Sequence, residues 1–135
     1  MAAFEWKPEM SVGIEAIDVQ HRKLIGTMNR FYQAHSEGDT GHSVQALKAL
    51  LHYTALHFAD EERMMEKGKY AEFAMHQAIH RELLKKAGKL SEDYFAHPTP
   101  ANGEGLNGFL RNWLTIHILG VDKKYSAPLK AQGLK

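Results

Sequence analysis

The chain has 135 residues, one domain's worth, and its 17 basic and 16 acidic residues leave a formal net charge of +1 with no basic run to favour nucleic acid. It has no cysteine, which excludes disulfides, iron–sulfur clusters, thiolate zinc sites and cysteine nucleophiles. The opening lacks the apolar run of a secretory signal and no later stretch approaches about 20 apolar residues, so a soluble, cytoplasmic protein without membrane insertion is expected.

The first 17 residues contain Trp, Pro and Gly but no helical period, and are expected to form an irregular arm. Asp18 then reads as the N-cap of a helix over about 18–37, with His21, Leu24, Ile25, Met28, Phe31 and Tyr32 on one stripe and Gly38 as its stop. A second helix is predicted over about 41–67, where Leu47, Leu50, Leu51, Thr54, His57, Phe58, Glu61, Met64 and Met65 recur every three or four residues before Gly68.

A third helix, about 70–95, carries Phe73, His76, His80, Leu83, Ala87, Leu90 and Tyr94 in alternating steps of three and four. The linker "HPTPANGEG" breaks it, and a fourth helix over about 104–119 presents Leu106, Phe109, Leu110, Trp113, Leu114 and His117. Residues 123–135 are expected to be a short tail. Short loops favour an all-α, up-down-up-down antiparallel four-helix bundle spanning 18–122 of a single domain, 1–135.

In that topology the start of the first helix lies beside the end of the second, the start of the third and the end of the fourth. His21, His57, Glu61, His76, His80 and His117 therefore converge on one end. In a chain with nine histidines, a lone HxxxH or HxxxE means little; the conjunction carries the information. A buried polar group without a partner costs about 1–3 kcal/mol, and an unpaired carboxylate more, so six together call for a common partner. Imidazole with carboxylate suits iron, zinc, manganese or copper, and the donors outnumber what one tetrahedral zinc takes. Asp122 follows His117 by five, about 140° round an ideal helix, and reaches the cluster only where the helix widens or unwinds near Gly120.

The set His21, HxxxE (His57, Glu61), HxxxH (His76, His80) and HxxxxD (His117, Asp122), with "VGIEAIDVQH", "HFADEE" and "WLTIHI", resembles the hemerythrin family, in particular its single-domain bacterial members. The resemblance covers nearly the whole chain. It implies two iron ions, one held by His76, His80 and His117 and the other by His21 and His57, with Glu61 and Asp122 as bridges and an oxo or hydroxo bridge between the metals. A single open position on the two-histidine iron would take dioxygen.

Trp113 and Leu114, one turn before His117, and Phe58, next to His57, are expected to wall that position with apolar groups. Reversible dioxygen binding for carriage, storage or delivery follows, without enzymatic activity, in a monomer that can hand oxygen to an oxygen-consuming enzyme. The alternatives are an oxygen or redox sensor acting through a separate partner, and a di-iron enzyme scavenging peroxide or nitric oxide. Against the enzyme, Asp60 and Glu62 beside Glu61 are expected to face solvent. His35, His42, His52 and His97 match no ligand position and read as structural or surface groups, and Met64 and Met65 as core filler.

Overall fold

A computed structural model describes residues 5–117 and 123–131. Its long helices are α1 (Glu15–Ser36), α2 (Thr40–Lys67), α3 (Phe73–Ala96) and α4 (Pro100–Ile116), followed by a shorter α5 (Lys123–Ala131). Each of the first four packs on its neighbour in the chain, and α1 closes the ring against α4, which gives the expected all-α four-helix bundle.

Periodicity placed the helix interiors well, but the ends differ, each for a local reason. Asp18 does not cap α1. The helix begins at Glu15, and Asp18, buried in its first turn, instead accepts hydrogen bonds from Ser11 Oγ at 2.5 Å and Val12 N at 2.9 Å. That carboxylate fastens the arm, whose Val12 and Ile14 are fully buried. Gly38, at φ +73°, does supply the left-handed turn after α1, and Asp39 caps α2 by accepting from His42 N.

The fourth helix starts four residues earlier than the linker's prolines and glycines suggested. Thr99 accepts from Asn102 N as N-cap and Pro100 takes the first helical position, where its missing N–H costs nothing. Gly103 lies inside this helix because α4 approaches α1 there: a Cβ at Gly103 would run into the His35 imidazole.

The expected tail holds α5, which continues through Pro128 because Tyr125 and Leu129 are anchored in a second apolar cluster with Val12, Ile14, Ile17, Met65 and Tyr70. The main cluster, including Leu24, Met28, Phe31, Leu47, Leu50, Leu106, Leu110 and Leu114, fills the bundle. Burial of each such side chain contributes roughly 1.5–3 kcal/mol. Between the two clusters lies the polar layer predicted from the histidines. No helix among the described residues is long and apolar enough to cross a membrane.

Candidate metal centre

The bundle brings together six of the seven residues expected to bind metal. His21, His57, Glu61, His76, His80 and His117 are all at most 3 % exposed. Helical spacing explains the pairing: His57 and Glu61, and likewise His76 and His80, lie one turn apart on a single inward face. The seventh, Asp122, lies outside the described residues. His117 closes α4 as its C-cap, with its N–H bonded to Trp113 O and Leu114 O.

The donor atoms form two overlapping groups. Glu61, His76, His80 and His117 are one, and His21, His57 and Glu61 the other; within each group, all donors lie within 4.8 Å of one another. Glu61 belongs to both. Its Oε1 stands 3.2 Å from His80 Nε2, 3.3 Å from His57 Nε2 and 3.9 Å from His117 Nε2, and its Oε2 stands 3.8 Å from His21 Nε2.

Outer hydrogen bonds decide which ring nitrogens face inward. His80 Nδ1 donates to Glu62 Oε2 at 2.9 Å, and Gln77 Nε2 braces the other oxygen of Glu62 at 2.8 Å. His57 Nδ1 donates to Gln20 Oε1 at 2.5 Å, and Gln20 Nε2 in turn donates to Asp60 Oδ2 at 2.9 Å. With the proton on Nδ1, a neutral His80 turns its Nε2 lone pair on Glu61 Oε1 and on His117 Nε2, each 3.2 Å away. Such an arrangement is repulsive unless a cation or a proton stands between the atoms.

The spacing fits a metal ion. Two donors at a right angle around one ion, each about 2.1 Å from it, stand about 3 Å apart, and donors on opposite sides about 4.2 Å apart. The observed separations fall in this range, and hydrogen-bonded outer nitrogens are the usual companion of metal-bound histidine.

The expectation that Asp60 and Glu62 face solvent is corrected for Glu62, and holds in part for Asp60, whose side chain is 37 % exposed. Glu62 points along the α2–α3 seam to His80, while Asp60 is tied to Gln20 and to Arg63. A residue one step from an inward-facing one is turned only about 100° round the helix, towards the adjoining helix as much as towards water. Tyr125, on α5, is a further residue that periodicity in the four main helices passed over; its hydroxyl donates to Glu61 Oε2 at 2.5 Å.

Phe58, Trp113 and Leu114 are all buried beside the cluster's end of the core. The Phe58 ring stacks on His80 with centroids 3.8 Å apart and an interplanar angle of 4°, and packs edge-on to Trp113 at 5.6 Å. Phe58 therefore leans on the three-histidine group, although its sequence neighbour His57 belongs to the other. A cleft of about 180 Å³ between α1 and α2, lined in part by Leu24, Tyr53 and Leu56, reaches Gln20 and His57 from outside.

The other histidines are apart from this centre. His42, His52 and His97 are exposed, and half-buried His35 lies at the opposite end against Tyr94. Met65 is buried core and Met64 packs against it, as filler.

Comparison with known proteins gives the same placement. The family described as the Hemerythrin HHE cation binding domain matches residues 12–127. The bacteriohemerythrin of Methylococcus capsulatus is 32% identical over 132 residues, covering 97% of this chain and 100% of that one. That of Stenotrophomonas maltophilia is 30% identical over 97% of this chain and 84% of its own. The crystal structure of a wild-type hemerythrin superposes with a TM-score of 0.86 at 31% identity, covering 95% of this chain and 98% of that one. The chain belongs to the hemerythrin family, whose domain is a non-haem di-iron domain.

Proposed function

We propose that the cluster holds two iron ions and binds dioxygen reversibly, for carriage, storage or delivery rather than for catalysis. The observation that carries this reading is the pair of buried donor groups that share Glu61. His76, His80 and His117 would hold one iron and His21 and His57 the other, with Glu61 as a bridge. Asp122 and a solvent-derived oxo or hydroxo group are proposed as the remaining bridges. When bound, the iron pair supplies the electrons for dioxygen capture.

The chain's own residues favour carriage. Five of the six buried donors are imidazoles and one is a carboxylate; fewer anionic donors stabilise high-valent iron less, which disfavours oxygen–oxygen cleavage. Asp60 and Glu62, the acids nearest Glu61, are engaged by Gln20 and Arg63 and by His80 and Gln77, so their hydrogen bonds orient histidines. Phe58, Trp113 and Leu114 keep water from the buried donors, which slows proton delivery and hence loss of reduced oxygen.

Anaerobic titration of the metal-free chain with ferrous iron, then air, then deoxygenation, tests this. Two irons per chain and a visible absorption band that appears in air and disappears on deoxygenation are expected. Two irons that oxidise once with no reversible band would move the function to redox sensing or enzymatic scavenging.

A further inference from the structure

Two of the cluster's histidines, one from each donor group, are backed by chemically different groups. His80 meets the carboxylate of Glu62 directly, at 2.9 Å. His57 meets the neutral amide oxygen of Gln20, at 2.5 Å, and the nearest carboxylate in that chain of bonds, Asp60, is one residue further out. Arg63 pairs with Asp60 and offsets its charge further.

A carboxylate on Nδ1 makes the opposite nitrogen of an imidazole a stronger donor, and exchanging such an outer partner typically changes metal affinity by about 10–100-fold. An amide oxygen accepts the same hydrogen bond without the charge. The number of donors points the same way, since three histidines with Glu61 form one group and two histidines with Glu61 the other. The surface cleft, too, reaches the Gln20 and His57 side.

We propose that Glu62 and Gln20 make the two metal positions unequal. The position of His76, His80 and His117 fills first and holds its ion tightly; the position of His21 and His57 fills second and exchanges its ion more readily. Glu62 and Gln20 are positioning residues here, acting through the imidazoles they hold. The inference rests on the reading of the cluster as a two-metal centre.

Near-isosteric exchanges separate the outer groups from donor number. Glu62→Gln removes the charge behind His80 and keeps an acceptor for its Nδ1–H; Gln77 can turn its amide to match. Gln20→Glu combined with Asp60→Asn moves a carboxylate onto His57 without changing the net charge. The metal-free chain and these variants would be titrated with cobalt(II), with visible absorption and chelator competition resolving each step and circular dichroism reporting helix content.

The unmodified chain should take up two ions in two resolved steps. Glu62→Gln should weaken the tighter step by about 10-fold or more and spare the weaker one, while the Gln20→Glu, Asp60→Asn pair should tighten the weaker step by a similar factor. A change within about twofold in both variants, or an equal change in both steps, overturns the proposal and leaves the two-metal reading intact. A single cooperative step in the unmodified chain also overturns it. Fewer than two ions in the unmodified chain overturns the two-metal reading itself, and the inference with it.

Discussion

The Tyr125 hydroxyl donates a 2.5 Å hydrogen bond to Glu61 Oε2, so helix α5 is tied to a carboxylate that both donor groups share. Both residues are buried, and hydrogen bonds to a charged group in such a place contribute about 1.5–3 kcal/mol. Tyr125→Phe should lower the urea stability of the metal-free chain by about that amount and speed amide hydrogen exchange in α5 above all. Uniform acceleration across all five helices, with none favoured, would refute the local tie.

Glu61 sits in both donor groups, so its neutralisation should act on both of the proposed metal positions at once. Glu61→Gln is expected to cut iron content to below about half that of the unmodified chain, because the shared anionic donor is lost. The metal-free variant should be no less stable than its parent in urea, since an uncharged amide is cheaper to bury than a carboxylate. Opposite signs for loading and stability distinguish a ligand from a merely structural acid. Iron analysis beside a urea curve reads both.

Leu114 lies three residues before His117 on α4 and is 1 % exposed. Leu114→Ala opens space in the apolar wall at a cost of roughly 2–5 kcal/mol, which a domain of ordinary stability survives. Water should then reach the centre more easily, and the oxygenated form should autoxidise several-fold faster under stopped-flow observation. An unchanged rate in a folded, iron-loaded variant removes Leu114 from the gating role.

The bundle and the site were legible in the sequence for the same reason: inward positions recur every three or four residues, and His21, His57, Glu61, His76, His80 and His117 occupy inward positions. What escaped depends on long-range or terminal packing. Gln20 and His57 are 37 residues apart, and nothing local marks Gln20 as an acceptor rather than a surface amide. Glu62 and His80 meet only once α2 lies against α3. The tail holds a helix because burial of Tyr125 and Leu129 outweighs the poor helical preference of a proline at 128. Asp18 looked like a cap because residue type alone does not say which backbone N–H it will accept from; the arm's Val12 N took it.

Asp39 gives a pH effect remote from the donor cluster. Its carboxyl is held below the ordinary aspartate value of 3.8, first by the side-chain hydrogen bond from His42 and then by His42 N. A lowered pKa in the folded state adds stability that is present above the ordinary value and is lost as pH falls through the folded one. Asp39→Asn should therefore lose less thermal stability than the parent between pH 5 and pH 3, with the two curves converging at the acid end, as measured by circular dichroism on metal-free protein. Parallel curves over that interval would sink the linkage.

Gly103 and His35 make a pair whose mutual dependence can be read as a change of sign. Alanine is favoured over glycine by roughly 1 kcal/mol in a helix interior, and at Gly88, where an added Cβ meets nothing within 4 Å, that gain should appear undiminished. At Gly103 the added Cβ runs into the His35 ring. The ring cannot simply swing aside: its Nδ1 is 2.8 Å from the Tyr94 hydroxyl, which is itself 2.9 Å from Ser43 Oγ, and Ser43 donates to Thr40 O. Overpacking against a held group costs about 1–3 kcal/mol, enough to outweigh the helical gain. Gly103→Ala should destabilise the unmodified chain, whereas in a His35→Ala background the same change should stabilise it, because only the helical preference is left. Urea unfolding of the four proteins of this cycle measures the coupling, and additive effects would mean that α4 moves away from α1 instead of pressing on the ring.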